Sequence, residues 1–335
     1  MHNILIAGNS NEVMKDGWVS GLESSLPDAI ITNVSLGSTG IFNLIDVCLR
    51  MKEELSSFDH IIVEHLINDI SFFMKRRKYY FSLLHELYSP LVALGVPITL
   101  MAARRYKLSA PQIEFMADTV KFLKVLGVNV YDVFGFLEKV RQSRGIRSIS
   151  ELYRDSAHPL PDVAVDVGKD LSRVLMYKSS VVQEELSIPF FVLNGLWLRN
   201  NSDSVRSRRI SNSLVDVVSI VIKAEERVTF EIPEALQGSR LVGFFFNASR
   251  SYGYCSFSSK ERKVTKLLSS NLSGRPSDVI WARPVHGEII LGENFSLDVI
   301  SLGREFEETE FCQREIDIPG FQAELELVSL VFSCH

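Results

Sequence analysis

Apolar positions along this chain change their period once. Over residues 1–178, short apolar runs alternate with stretches of helical spacing. The runs fall at 3–7, 29–36, 60–67, 97–102 and 128–133 and read as strands buried on both faces. Between them Ile41, Ile45, Cys48 and Leu49 recur at helical spacing, as do Ile113, Met116, Val120 and Leu123. The second of these helices opens at Ser109 with Pro111 just inside and closes at Gly127. A last helical stretch runs from Val163 to Met176. Five strands separated by helices predict a parallel sheet covered on both faces.

Past Tyr177–Pro189 the period drops to two. Val228, Phe230 and Ile232 alternate with Thr229 and Glu231, and Ala323, Leu325 and Leu327 alternate with Glu324 and Glu326. Turn-forming clusters at Asn200-Asn201-Ser202-Asp203, Gln237-Gly238-Ser239 and Ser273-Gly274-Arg275-Pro276 interrupt the runs. The expectation is an α/β domain over 1–178 and an all-β, jelly-roll-like sandwich over 186–335. A length of 335 residues suits two cores better than one.

Composition adds exclusions. The chain carries 46% hydrophobic and 23% charged residues, a mean hydropathy of +0.11 and a net charge of −5. That balance gives no reason to expect nucleic acid as a partner. The basic runs Lys75-Arg76-Arg77-Lys78 and Arg206/Arg208/Arg209 read as solvated faces, with an acidic polysaccharide as the competing reading. No apolar stretch reaches the length of a membrane span, and no signal-peptide pattern precedes the first strand. Cys48, Cys255, Cys312 and Cys334 show no metal-ligand spacing and read as free thiols, so the expected location is cytoplasmic.

The chemistry concentrates where strands end. Gly8-Asn9-Ser10 follows the first strand, and Asp155-Ser156-Ala157-His158 precedes the last helix of the α/β half. Each is weak alone, since Gly-x-Ser makes ordinary turns and Asp-x-x-His occurs in surface loops. Together they supply the serine, carboxylate and imidazole of an acyl-transfer triad. Two further strand ends supply oxyanion donors: Asn68, closing the run Ile61 to Ile67, and Gly37, within Asn33-Val34-Ser35-Leu36-Gly37-Ser38-Thr39.

These four blocks, in this order, resemble the SGNH (GDSL-like) hydrolase superfamily over residues 1–178. The resemblance implies a flavodoxin-like three-layer fold. It implies Ser10 as nucleophile and oxyanion donor, Gly37 as the second donor with Ser38 an alternative, Asn68 as the third, and Asp155 and His158 completing the triad. The chain departs from the family's usual Gly-Asp-Ser-Leu with Gly8-Asn9-Ser10-Asn11, and Leu66 replaces the glycine two residues before the block-three asparagine. A β domain beside such a fold is similar to bacterial polysaccharide-modifying enzymes. The expected activity is therefore on O-acetyl esters of a carbohydrate, by hydrolysis without a cofactor or by transfer from acetyl-CoA. A lipase or thioesterase would need an apolar acyl tunnel beside Ser10. A glycan-binding protein without catalysis would leave Ser10, Asn68 and His158 apart.

Other candidates read as structural. Asp69 is expected to cap the following segment, Glu64 and His65 to form a satisfied pair on the buried strand, and His85 to pack beside Tyr79, Tyr80 and Tyr88. Trp197, Tyr252, Tyr254 and Trp281 read first as sandwich core, with a sugar-stacking platform as the competing assignment.

Overall fold

A computed structural model describes residues 2–175, 186–202, 205–259, 262–268, 270, 272–286, 289–301 and 322–334. The chain divides into two compact units, Met1–Ile188 and Pro189–His335.

The first unit begins β1 (Asn3–Ala7), α1 (Trp18–Ser25), β2 (Ile30–Asn33), α2 (Ile41–Arg50), β3 (His60–Val63) and α3 (Leu66–Phe73). It continues α4 (Arg77–Ala93), β4 (Ile98–Met101), α5 (Ala110–Val125), β5 (Asn129–Tyr131), α6 (Val133–Ser143) and α7 (Pro161–Leu171). The five strands form one parallel sheet in the order β2-β1-β3-β4-β5. Because the chain leaves β1 in opposite directions to reach β2 and β3, a crevice opens at the carboxyl ends of β1 and β3, where such sheets bind ligands.

Local signals account for the elements. α5 starts with a reciprocal Ser109–Gln112 capping box and is followed by Gly127 at φ +97°. On one face α1, α6 and α7 share a core with Ile4, Ile6, Ile62 and Met101. α1 and α7 approach closely through Gly21 and Gly168, where any added Cβ would overlap the other helix's backbone. On the opposite face the rings of Phe73, Tyr80 and Phe115 stack, with centroids 4.8 and 5.2 Å apart.

The second unit is antiparallel throughout its two sheets. Its elements are β6 (Phe190–Asn194), the short helix α8 (Gly195–Asn200), β7 (Arg206–Ser211), β8 (Asp216–Lys223), β9 (Arg227–Glu231) and β10 (Arg240–Asn247). Then follow β11 (Tyr254–Ser258), β12 (Lys263–Leu267), β13 (Ile280–Pro284), β14 (Asn294–Ile300) and β15 (Glu324–Ser333). One sheet runs β13-β10-β15-β8-β7, with β6 also paired to β15; the other runs β12-β11-β14-β9. Ile220, Phe244 and Phe332 of the first share one apolar core with Phe230, Phe257 and Phe295 of the second.

Several sequence expectations are corrected here. β15 is buried along nearly its whole length, so Glu326 does not face solvent. Its carboxylate accepts from Arg208 (3.0 Å), Ser219 (2.7 Å) and Asn247 (2.9 Å). Arg208 also pairs with Asp278 at 2.6 Å, Arg209 pairs with Asp216, and Arg77 pairs with Glu114 and Asp118. These arginines of the two basic runs are thus already neutralised by carboxylates. Tyr252 and Trp281 are buried and Trp197 packs against the sandwich core, in line with the core reading of these three rings. His85 is exposed on α4 rather than packed. Cys48 and Cys255 are buried free thiols and Cys334 is an exposed one, while Cys312 lies outside the described residues. Among the described residues, no helix is long and apolar enough to cross a membrane.

Candidate active site

Asp155 organises the loop that carries His158. Its Oδ1 accepts from the backbone N–H groups of Ala157 (2.8 Å) and His158 (3.0 Å), an Asx turn closed by Arg154 N–H donating to the His158 carbonyl. The same carboxylate lies 2.8–2.9 Å from His158 Nδ1. One residue therefore shapes the turn and fixes the ring. Partial burial raises the Asp155 pKa, but the hydrogen bonds from Ala157 and His158 outweigh it and hold the carboxyl below its ordinary value.

The far ring nitrogen, His158 Nε2, is 2.7 Å from Ser10 Oγ. With the Nδ1 proton donated to Asp155, Nε2 is left to accept the serine proton. Ser10 lies just past the end of β1, in the crevice that the strand order creates. Gly37 lies beside it: a side chain added at Gly37 would begin 3.8 Å from Ser10 Cβ. Neighbouring Ser38 has φ +59°, a left-handed conformation that costs a non-glycine residue about 1–2 kcal/mol.

Asn68 is placed differently from the sequence expectation. β3 ends at Val63, and Asn68 sits in the first turn of α3, with Glu64 and His65 in the connection rather than on the strand. The apolar run continued past the strand because the start of α3 is itself buried. Asn68 is half-buried, and its carboxamide makes no hydrogen bond among the described residues.

Sequence reasoning missed what holds these loops together. Asn9, buried, accepts from the backbone N–H groups of Thr39 (3.2 Å) and Gly40 (2.8 Å) and donates to the Glu64 carbonyl (2.7 Å). One amide thereby ties the Ser10 loop to the Gly37 turn and to the β3–α3 connection. An aspartate could accept the first two bonds but not donate the third, which gives the Asn9 departure a physical reason. The signal was only that an amide replaced an acid.

Beneath the loop lie two buried carboxyls that form no ion pair among the described residues. Glu12 accepts from Asn9 N–H (2.6 Å) and from the Trp18 indole (3.0 Å), and burial pushes its pKa up to about 7. Glu64 is raised further, by burial and then by the Glu12 charge. At Gly8 an added Cβ would meet the Glu12 carboxyl carbon at 2.5 Å. Both carboxyls border a mostly apolar cavity that also touches Asn11, Ala157 and Pro159, the chain neighbours of Ser10 and His158. Its room for water centres is ≈ 20 Å³, space for about one or two waters.

A second histidine–aspartate pair lies deeper. His65 Nδ1 is 2.7 Å from Asp69 Oδ2, and His65 Nε2 is 2.7 Å from Tyr88 Oη. Tyr80 donates to the same Asp69 oxygen at 2.7 Å, while Asp69 Oδ1 accepts from Ile41 N–H. Asp69 thus caps α2, a helix earlier in the chain, and not the segment after it. Burial first, and then the Asp69 charge, raises both tyrosine pKa values well above the ordinary. Among the described residues, no group of three His, Cys, Asp or Glu side chains is placed to hold a metal.

No profile of a known protein family and no curated protein matches the chain. Solved structures do, over its N-terminal half. One is a lipolytic G-D-S-L family member from Veillonella parvula, at 15% identity and TM-score 0.42, covering 52% of this chain and 98% of that one. A psychrotrophic esterase from Pseudoalteromonas sp. matches at 16% identity and TM-score 0.40, covering 52% and 96%. An acetyl xylan esterase matches at 16% identity and TM-score 0.38, covering 52% and 100%. The α/β half of this chain is similar in fold to G-D-S-L-type lipolytic esterases, and the β unit lies outside that likeness.

Proposed function

We propose that this chain is a serine-dependent esterase or acyltransferase acting on O-acetyl groups of a carbohydrate through an acyl-Ser10 intermediate. The observation that supports this most is the unbroken run of contacts from Ser10 Oγ through His158 to Asp155, at 2.7 and 2.8 Å. His158 Nε2 takes the serine proton as Oγ attacks the ester carbonyl. The tetrahedral oxyanion is received by the N–H groups of Ser10 and Gly37 and by the Asn68 amide. Collapse breaks the bond to the alcohol, which leaves with the proton returned by His158. A second nucleophile, deprotonated by the same nitrogen, then attacks the acyl-serine. Water makes the enzyme an esterase; a sugar hydroxyl makes it an O-acetyltransferase, with acetyl-CoA as a fitting donor and no cofactor needed for hydrolysis.

The polar residues next to the triad loops, Asn11 and Ser38, favour a small acyl group and a hydrophilic acceptor. The acetyl xylan esterase among the similar structures is in keeping with that choice.

The test is acetate release from an acetylated ester by wild type and Ser10→Ala, with and without an oligosaccharide acceptor, alongside fluorophosphonate labelling. Ser10-dependent release and labelling are expected. Diversion of acetyl to the acceptor identifies a transferase, and indifference to acceptors an esterase. An unlabelled Ser10 with no release from any donor rejects catalysis and leaves a glycan-binding protein.

A further inference from the structure

The strand next to β3 sends an unpaired cation toward the same cavity. β4 ends at Met101, and the chain continues Ala102-Ala103-Arg104-Arg105-Tyr106-Lys107 before α5. This loop is bound to the His158 loop: Tyr106 N–H donates to the Ser156 carbonyl at 3.2 Å, and Tyr153 Oη donates to the Arg104 carbonyl at 3.0 Å. Arg104 borders the cavity together with Asn11, Ala157 and Pro159 and with Glu12 and Glu64, the two carboxyls whose pKa values burial raises.

Most other arginines of the first unit have carboxylate partners: Arg50 with Asp46, Arg77 with Glu114 and Asp118, Arg141 with Glu138, Arg144 with Asp162 and Asp166, Arg154 with Asp155, and Arg173 with Asp170. Arg104 has no ion pair or side-chain hydrogen bond among the described residues, and its Nε is buried without a partner. Its guanidinium lies 3.3 Å from the centroid of the Phe134 ring, which fixes its plane and leaves its edge to donate. The acidic groups that act on it from neighbouring elements are engaged elsewhere. Asp132 caps α6 through Gly135 N–H, and Glu138 holds Arg141 at 2.6 Å. Arg105 and Lys107 lie on the same loop, and Arg154 Nε lies 3.9 Å from Asp155 Oδ2.

A rigid, oriented, partly desolvated guanidinium without an anion is costly unless a ligand supplies one. We propose that Arg104 binds an oxyanion, carboxylate or phosphate, carried by the ester substrate close to its reacting acyl group, so that the site selects acylated anionic saccharides. This rests on the serine-esterase reading above and adds a substrate class to it.

The experiment compares kcat/KM for O-acetyl esters of a methyl glucuronide, a methyl glucoside and a sugar phosphate, using wild type, Arg104→Gln, Arg104→Lys and Arg144→Gln. Wild type is expected to prefer one charged ester over the neutral one by tenfold or more, and which one identifies carboxylate or phosphate. In Arg104→Gln that ratio should collapse toward one; lysine, lacking the planar fork, should restore it only in part. Arg144→Gln removes a remote paired cation from the same unit and should keep the ratio. Absence of preference in wild type, its persistence in Arg104→Gln, or an equal loss in Arg144→Gln overturns the proposal. If Ser10 is neither labelled nor needed for turnover, the serine reading has failed. Calorimetric binding of glucuronate and of glucose 1-phosphate to wild type and Arg104→Gln then decides the anion site alone, with arginine-dependent binding upholding it and its absence rejecting it.

Discussion

One α/β unit holds two histidine–aspartate pairs of nearly the same length and very different situation. Asp155–His158, at 2.8 Å, is carried by a surface turn, with the aspartate side chain 49% exposed and a serine hydroxyl on the free nitrogen. His65–Asp69, at 2.7 Å, is 1% and 0% exposed, with tyrosine hydroxyls around it. The pairing chemistry is common to both. What separates them is what the second ring nitrogen faces and whether substrate can reach it. The buried pair is also the one that joins elements, through the Asp69 cap on α2. A histidine–aspartate contact in a structure is therefore no pointer to catalysis until the third partner and the access are known.

Substitutions can pull the two pairs apart. Ser10→Ala should remove fluorophosphonate labelling and lower turnover by about 10⁴-fold or more while thermal stability stays within about 0.5 kcal/mol. Asp155→Asn should lower kcat by roughly 10²–10⁴-fold, through a misoriented ring of the wrong tautomer, with little change in unfolding free energy. Retention of wild-type kcat there would remove Asp155 from the triad. Asp69→Asn should show the reverse, about 3–5 kcal/mol of stability lost in denaturant titration, with the folded fraction still labelling at Ser10. Tyr80→Phe, which deletes one donor to Asp69, should cost about 1–2 kcal/mol by the same titration.

The smallest effect is a slope. Glu12 keeps its proton up to about pH 7 in the folded chain, whereas the unfolded chain releases it near the ordinary 4.5. Between those values the folded state binds more protons, so this group's stabilisation falls as pH rises and is lost above 7. Glu12→Gln should flatten the fall in melting temperature across that window. An unchanged slope would assign the fall to another group.

Much of the fold was legible because parallel strands announce themselves. Runs such as Ile4 to Ala7 and Ile98 to Met101 are buried on both faces, and caps such as Ser109 and Gly127 mark helix ends without tertiary help. The convergence of Ser10, Asp155 and His158 was legible for a related reason, since strand ends in such sheets converge on one edge. Asn68 was misplaced because burial is continuous from β3 into α3, and an apolar run cannot report where its backbone turns. Glu326 marks the limit of such patterns, because alternation marks two faces of a strand but not that both are covered. The Asn9 staple and the Asp69 cap join residues 28 to 55 positions apart, and pairwise contacts at that range leave no periodic trace in one sequence.

Gly8 and Glu12 form a linked pair. The glycine's backbone is not left-handed, and the atoms that a methyl group there would strike belong to the Glu12 side chain. Alanine at position 8 would therefore require the Glu12 carboxyl to move, and with it the bonds from Asn9 N–H and the Trp18 indole. The glycine at the head of the Ser10 turn and the acid four residues on are thus coupled, and the effects of substituting both should not add.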